Sequence, residues 1–184
     1  MSEVIKENGT FFEIAARAAE YAAEKGKVSE KKLAKALGIR MPTASKTVCA
    51  LALMGVLGKK DSRYYPYTGN GAEAAEVRAR AAEYPQDYLR LVYEAAAFGK
   101  IGAEGYMTGT LLPAVKIGVM YGSVSVIFLQ RKMSVVFERA HEIYDIMAAC
   151  GMFGGEDEFN PGRKKFIPGS ADYDALYARF GAGV

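Results

Sequence analysis

Histidine occurs once and cysteine twice in this chain of 184 residues, and those scarcities remove several common chemistries. Two cysteines about a hundred positions apart, Cys49 and Cys150, supply neither a disulfide framework nor a zinc site; both read as buried small hydrophobes in a reducing, cytoplasmic compartment. A histidine-based hydrolase would rest on His141 alone. Glu138 and His141 have the Glu-x-x-His spacing of di-iron bundles, but such a site needs two of these elements, so a solvated helix face is the better reading. Also missing are a GxxxxGK[ST] phosphate loop, a GxGxxG dinucleotide turn and a GxSxG elbow. The expectation is a non-enzymatic protein without metal or cofactor; only chemistry built from carboxylate, lysine or tyrosine stays open. The start, "MSEVIKENGT", lacks the basic-then-apolar order of a secretory signal.

What is present is ordinary in bulk and uneven in detail. With 51% hydrophobic and 24% charged residues, the composition is that of a soluble globular protein. Between Lys27 and Tyr67, however, nine basic residues meet only Glu30 and Asp61, a local charge of +7. The formal net charge is +3, so the rest of the chain carries −4. One basic face suited to a polyanion follows from that asymmetry.

The same stretch has strong helix punctuation. Thr10 and Glu13 have capping-box spacing ahead of an alanine-rich amphipathic helix, and Gly26 stops it. Ser29 caps a short helix that ends at Gly38. Pro42 suits the first turn of a third helix, closed by Gly55. Then "VLGKKDSRYYPY" reads as a hairpin turning at Asp61 and Ser62, with Pro66 at an edge or a strand end.

This order of helix, helix, turn, helix and basic hairpin resembles the winged-helix DNA-binding domain of MarR- and DtxR-type transcription regulators. The matching run is Leu33-Ala34, Leu37-Gly38-Ile39, Pro42 to Lys46, Val48, Leu51 and Gly55-Val56-Leu57, with "YPYTGNGAEAAE" as the exit from the wing. The resemblance covers residues 10 to 83, under half the chain. It implies that the helix starting at Pro42 lies in the major groove of double-stranded DNA. Arg40, Pro42, Thr43, Ser45 and Lys46 would stand at the bases, Lys59, Lys60 and Arg63 on the wing, and Lys31 and Lys32 at phosphates. Winged helices also serve as protein-interaction and dimerisation modules, and the same residues then form a solvated surface.

The expected organisation is a winged-helix domain over 1–83 and an all-helical region over 84–184, in a mainly α protein. Residues 84–150 would make a homodimer, with two half-sites about one helical turn apart. Between Met107 and Gln130 only Lys116 is charged, which suits a buried interface helix; "SVSVIFL" suits a strand equally, and a membrane span is the third reading. The segment could also line an effector pocket, though nothing in it selects a ligand. From Arg131 to Cys150 the pattern is one amphipathic helix with Glu138, His141, Glu142 and Asp145 on its polar side. A last helix, "SADYDALYARF", is expected to dock on the body.

Overall fold

Phe11, Phe12, Ile14 and five alanines of "FFEIAARAAEYAAEK" bury rather more than half of the circumference of the first helix, α1 (Phe11–Lys25), and leave Glu13, Glu20 and Glu24 on the exposed side. So many small side chains let other helices approach closely, and α1 packs against partners on several sides. The computed structural model describes residues 11–84 and 102–167. Thr10 and the docking helix expected near the C-terminus lie outside the described residues.

After α1 come β1 (Lys27–Val28), α2 (Glu30–Leu37), α3 (Met41–Leu53), β2 (Tyr65–Pro66) and α4 (Glu73–Ala81). Ser29 caps α2 by accepting from the Lys32 amide, and Gly38 ends it in the left-handed region. β1 and β2 pair antiparallel, Val28 opposite Tyr65. The expected hairpin is present as a turn rather than as two strands: Asp61 and Tyr64 exchange backbone hydrogen bonds of 2.8 and 3.0 Å around Ser62. Residues 56–60 form no strand, and the outgoing arm meets the returning one through isolated bridges, Leu57 to Tyr67 and Asp61 to Tyr64. Pro66 ends β2, since it has no amide to extend the ladder. α4 returns across α1, and Arg78 binds Glu13 and Glu20 there.

The second half is not all-helical, as the sequence pattern suggested. It contains α5 (Gly102–Tyr106), a π-helical stretch (Met107–Leu111), α6 (Leu112–Tyr121), β3 (Ser123–Val124), α7 (Val126–Met133), α8 (Phe137–Ala149), β4 (Phe153–Glu156) and β5 (Lys164–Phe166). The three strands form an antiparallel sheet in the order β3, β5, β4. The π stretch has a local cause: Pro113 has no amide to donate, and the Leu112 amide reaches back five residues to the Met107 carbonyl. "SVSVIFL" is divided, its first two residues in β3 and the rest beginning α7 behind the Ser125 cap. The single helix expected from Arg131 to Cys150 is two, because Ser134 is left-handed at φ 53°. Among the described residues no helix is long and apolar enough to cross a membrane.

The two halves repeat one another 96 positions apart. Gly26 and Gly122 both have φ 71°, Ser29 and Ser125 both cap the next helix, and Gly38 and Ser134 both end it left-handed. The Ile39 amide donates to the Ala34 carbonyl at 3.1 Å, and Val135 to Gln130 at 3.2 Å. Past the third helix, Val56 donates to Leu51 at 2.8 Å and Met152 to Met147 at 3.1 Å. The returning strand closes on the first glycine in each, Tyr67 to Gly26 at 2.9 Å and Phe166 to Gly122 at 2.8 Å. Thus α6, α7 and α8 are the counterparts of α1, α2 and α3. The halves pack crosswise, α1 and α3 against α8 and α3 against α5, and one apolar core runs through both.

Candidate nucleic-acid interface

Eight of the nine basic residues between Lys27 and Arg63 stand on the surface of the first half, Lys60 partly covered and the rest exposed. Lys27 lies on β1, Lys31, Lys32 and Lys35 on α2, Arg40 before α3, and Lys59, Lys60 and Arg63 on the hairpin. The helix and the hairpin meet at Tyr64: Lys27 and Lys32 sit 4.8 and 5.0 Å from the centre of its ring. Hydrogen bonding and charge from Lys32 lower the phenol's pKa, which marks the local field as positive. Lys60 turns toward the second half and pairs with Glu104 at 3.4 Å.

The start of α3 is elsewhere. Thr43, Ser45 and Lys46, expected at a groove-facing helix start, are buried, as is every residue from Thr43 to Leu53. Only Met41 and, in part, Pro42 reach solvent in that helix. Lys46 is 1% exposed and its ammonium binds the Glu142 carboxylate of α8. Tyr106 donates to the same carboxylate at 3.2 Å, and Arg139 lies 3.4 Å from it while also donating to Thr110 at 3.1 Å. Burial, first of all, and the Glu142 charge push the Tyr106 phenol well up. Ser45 donates to Glu30 at 2.5 Å and to the Met41 carbonyl at 3.1 Å. The reason for the difference is the partner: α5 and α8 cover the face that would otherwise look outward. The sequence set therefore separates into a surface group, Arg40, Lys31, Lys32, Lys59, Lys60 and Arg63, and a buried group, Thr43, Ser45 and Lys46, with Pro42 between them.

The polar side of α8 is corrected in the same way. His141, Glu142 and Asp145 are buried rather than solvated, and only Glu138 of the four is exposed. His141 Nδ1 lies 3.2 Å from the Asp145 carboxylate. Burial raises Asp145 to about 6 despite the histidine, and Asp145 in turn raises His141. α8, assigned from sequence to a dimer interface, spends most of its surface inside its own chain. Among the described residues no cluster of histidine, cysteine or carboxylate could hold a metal ion.

Sequence reasoning did not single out a cavity of about 720 Å³ in the second half, between α7, the hairpin of β4 and β5, and Tyr84. The signal that marks it is the position equivalence, since Ile127 and Phe137 on its wall correspond to Lys31 and Met41. Comparison of the chain with protein-family models, with curated proteins and with solved structures gives no match.

Proposed function

We propose that the protein binds double-stranded DNA, with each half a winged-helix unit and the first half as the duplex-holding one. The observation that carries this is the surface position of eight cations on β1, α2, the following turn and the hairpin, where the same stretch of chain supplies only Glu30 and Asp61 and the second half adds Glu104 against Lys60. A helix flank and a wing presenting cations side by side suit the phosphates of one groove edge. In this reading Lys31, Lys32, Lys35, Lys59 and Arg63 engage backbone phosphate, and Arg40 stands closest to the bases. Thr43, Ser45 and Lys46 take no part, because α3 is occupied by the second half. The affinity is then dominated by phosphate contacts, and one chain supplies both units without a second copy. A non-enzymatic role in transcription regulation or DNA architecture fits such a binder.

The burial of α3 favours a second reading, in which the first winged helix is a protein-interaction module whose interaction is made within the chain. A salt series separates the two. Anisotropy of labelled random duplex DNA should give a log affinity falling with log salt at a slope near −4 or steeper, about −0.9 per phosphate engaged. Absence of binding at low salt sinks the DNA reading and leaves the interaction module.

A further inference from the structure

The surface that is basic in the first half is aromatic and apolar in the second. At 96 positions' distance Lys31, Lys32, Arg40 and Met41 become Ile127, Phe128, Val136 and Phe137. Ile127 is 53% exposed, Val136 66% and Phe137 46%, high values for side chains of this kind. Cations are still there, but interleaved with rings. The Arg163 guanidinium lies 3.8 Å from the centre of the Phe128 ring, and the Lys164 ammonium 4.6 Å from that of Tyr84. Neither makes an ion pair with a described residue. Lys132 donates to the Tyr121 hydroxyl at 2.8 Å and lies 4.4 Å from the centre of that ring, extending the pattern along α7.

Behind these residues lies the cavity of about 720 Å³, within the range of small-molecule sites, about 300–1,000 Å³. Its walls include Phe137, Tyr144, Tyr84 and Ile127, and Arg163 and Lys164 belong to the same lining. Tyr144 is held in place by stacking on Phe153, with ring centres 4.6 Å apart. At the hairpin tip Phe159 is 90% exposed, on a turn fixed by Asp157, which accepts from the Phe159 amide at 3.0 Å and from Asn160 at 2.7 Å.

We propose that this cavity binds a nucleotide, its planar base between the aromatic walls and its phosphate on Arg163 and Lys164. Three features select that ligand class over a purely apolar one. Two cations that form no ion pair with a described carboxylate, although Glu156 stands opposite Lys164 in the sheet, offer a place for an anion. Aromatic walls suit the π-face of any base, and the Glu83 and Glu156 carboxylates in the lining can accept from base amino groups. The nucleotide comes either from an unpaired stretch of strand or from solution as a free molecule; the first source rests on the nucleic-acid reading above, and the second does not. In the strand case the two halves divide the work, phosphates of a duplex on the first and unpaired bases on the second.

The test uses the full chain and three probes: labelled oligothymidylate, a labelled duplex of equal length, and unlabelled thymidine monophosphate as competitor. Oligothymidylate should bind, and Phe137→Ala and the pair Arg163→Ala with Lys164→Ala should each weaken it roughly tenfold, as loss of one stacked base or its phosphate does. Both variants should bind the duplex as the parent does, because the duplex cations lie on the other half. Competition by the monophosphate at millimolar concentration identifies a free nucleotide as sufficient, and its absence identifies the strand. Oligothymidylate binding that neither variant alters overturns the proposal. So does the absence of binding to oligothymidylate and monophosphate alike, even when the duplex binds. Self-association of the parent that Phe137→Ala abolishes, without nucleotide binding, assigns the face to a second copy instead. Loss of duplex binding alone counts against the proposed function and leaves this site standing.

Discussion

Two backbones that follow the same course have been given opposite surfaces and one shared interior. Outside, Lys31 and Lys32 on α2 stand where Ile127 and Phe128 stand on α7. Inside, Lys46 of α3 and Glu142 of α8 occupy equivalent positions and bind each other. In a dimer of two identical copies, equivalent positions on a two-fold axis carry the same residue, so like charges would meet there. Within a single chain they can differ, and here they differ in sign. The two units share one apolar core, and the pairing of these two positions lies within the contact that withdraws α3 from solvent.

Breaking that pair should have the largest effect of any single change. Glu142→Leu removes the carboxylate that the buried Lys46 ammonium binds and that Arg139 also approaches. It should destabilise by about 3–5 kcal/mol, the usual consequence of leaving a buried charge unpaired. Lys46→Met should lose less, since Arg139 stays beside Glu142. The double variant Lys46→Met with Glu142→Leu should recover much of the loss, because apolar replacement of both partners also removes their desolvation penalty. Urea unfolding of the four proteins gives the coupling. Additive losses would mean that the two positions do not interact, and the lock would be no lock.

The second comparison concerns protons. Where α8 carries His141 and Asp145, α3 carries Ser45 and Cys49, neither of which titrates near neutrality. Asp145 is raised from an ordinary aspartate value to about 6, and His141 is raised as well. Both shifts mean that the folded pair holds protons more tightly than the unfolded chain. Its stabilising contribution is therefore full below about pH 4, the unfolded value of aspartate, and is lost as pH rises through 6 and past the histidine. The change should amount to about 2 kcal/mol, from a shift of roughly two units at 1.36 kcal/mol each, reduced by the coupling to His141. Unfolding midpoints of the parent and Asp145→Asn between pH 4 and 8 check it. A parent whose midpoint rises with pH no less than that of the variant would rule the account out.

Third in size is the contrast between surface and buried lysine in DNA binding. Lys31→Ala with Lys32→Ala should weaken duplex binding roughly tenfold and flatten the log–log salt slope by about 1.8 if both touch phosphate. The double variant at Lys46 and Glu142, if folded, should leave the slope unchanged. The reverse result would put α3 back in the groove, as its sequence suggested.

That suggestion failed for a reason visible in the residues. Thr43, Ser45 and Lys46 form a polar helix start, and periodicity cannot distinguish a polar face turned to water from one turned to a polar partner. The partner, Glu142 with Tyr106, lies 96 positions away in the case of the carboxylate, beyond the reach of any local pattern. By contrast α1, α2, α3 and the hairpin were legible, because caps, stops and turns there use Ser29, Gly26, Gly38, Gly55 and the Asp61 turn. The repeat was hidden by the side chains. Val28 and Val124, Ser29 and Ser125, Leu33 and Leu129 and the two pairs of glycines match, while most surface positions between them do not. The cavity was illegible for the same reason, since its walls come from α7, α8, the second hairpin and Tyr84.

The smallest effect lies at the point where the repeat was most disguised. Gly38 and Ser134 both end a helix in the left-handed region, at φ 65° and 53°. An L side chain is strained there and glycine is not. Ser134 therefore costs stability that Gly38 does not, and its side chain also erased the stop signal that would have divided α7 from α8 in the sequence. Exchanging the residues should show the symmetry directly. Ser134→Gly should stabilise by a few tenths up to about 1 kcal/mol, the relief of strain being offset in part by the greater freedom of glycine in the unfolded chain. Gly38→Ser should destabilise by about 1 kcal/mol. If Ser134→Gly destabilises as well, the serine makes a favourable interaction of its own at that turn, and the two helix ends, alike in backbone, are not alike in energy.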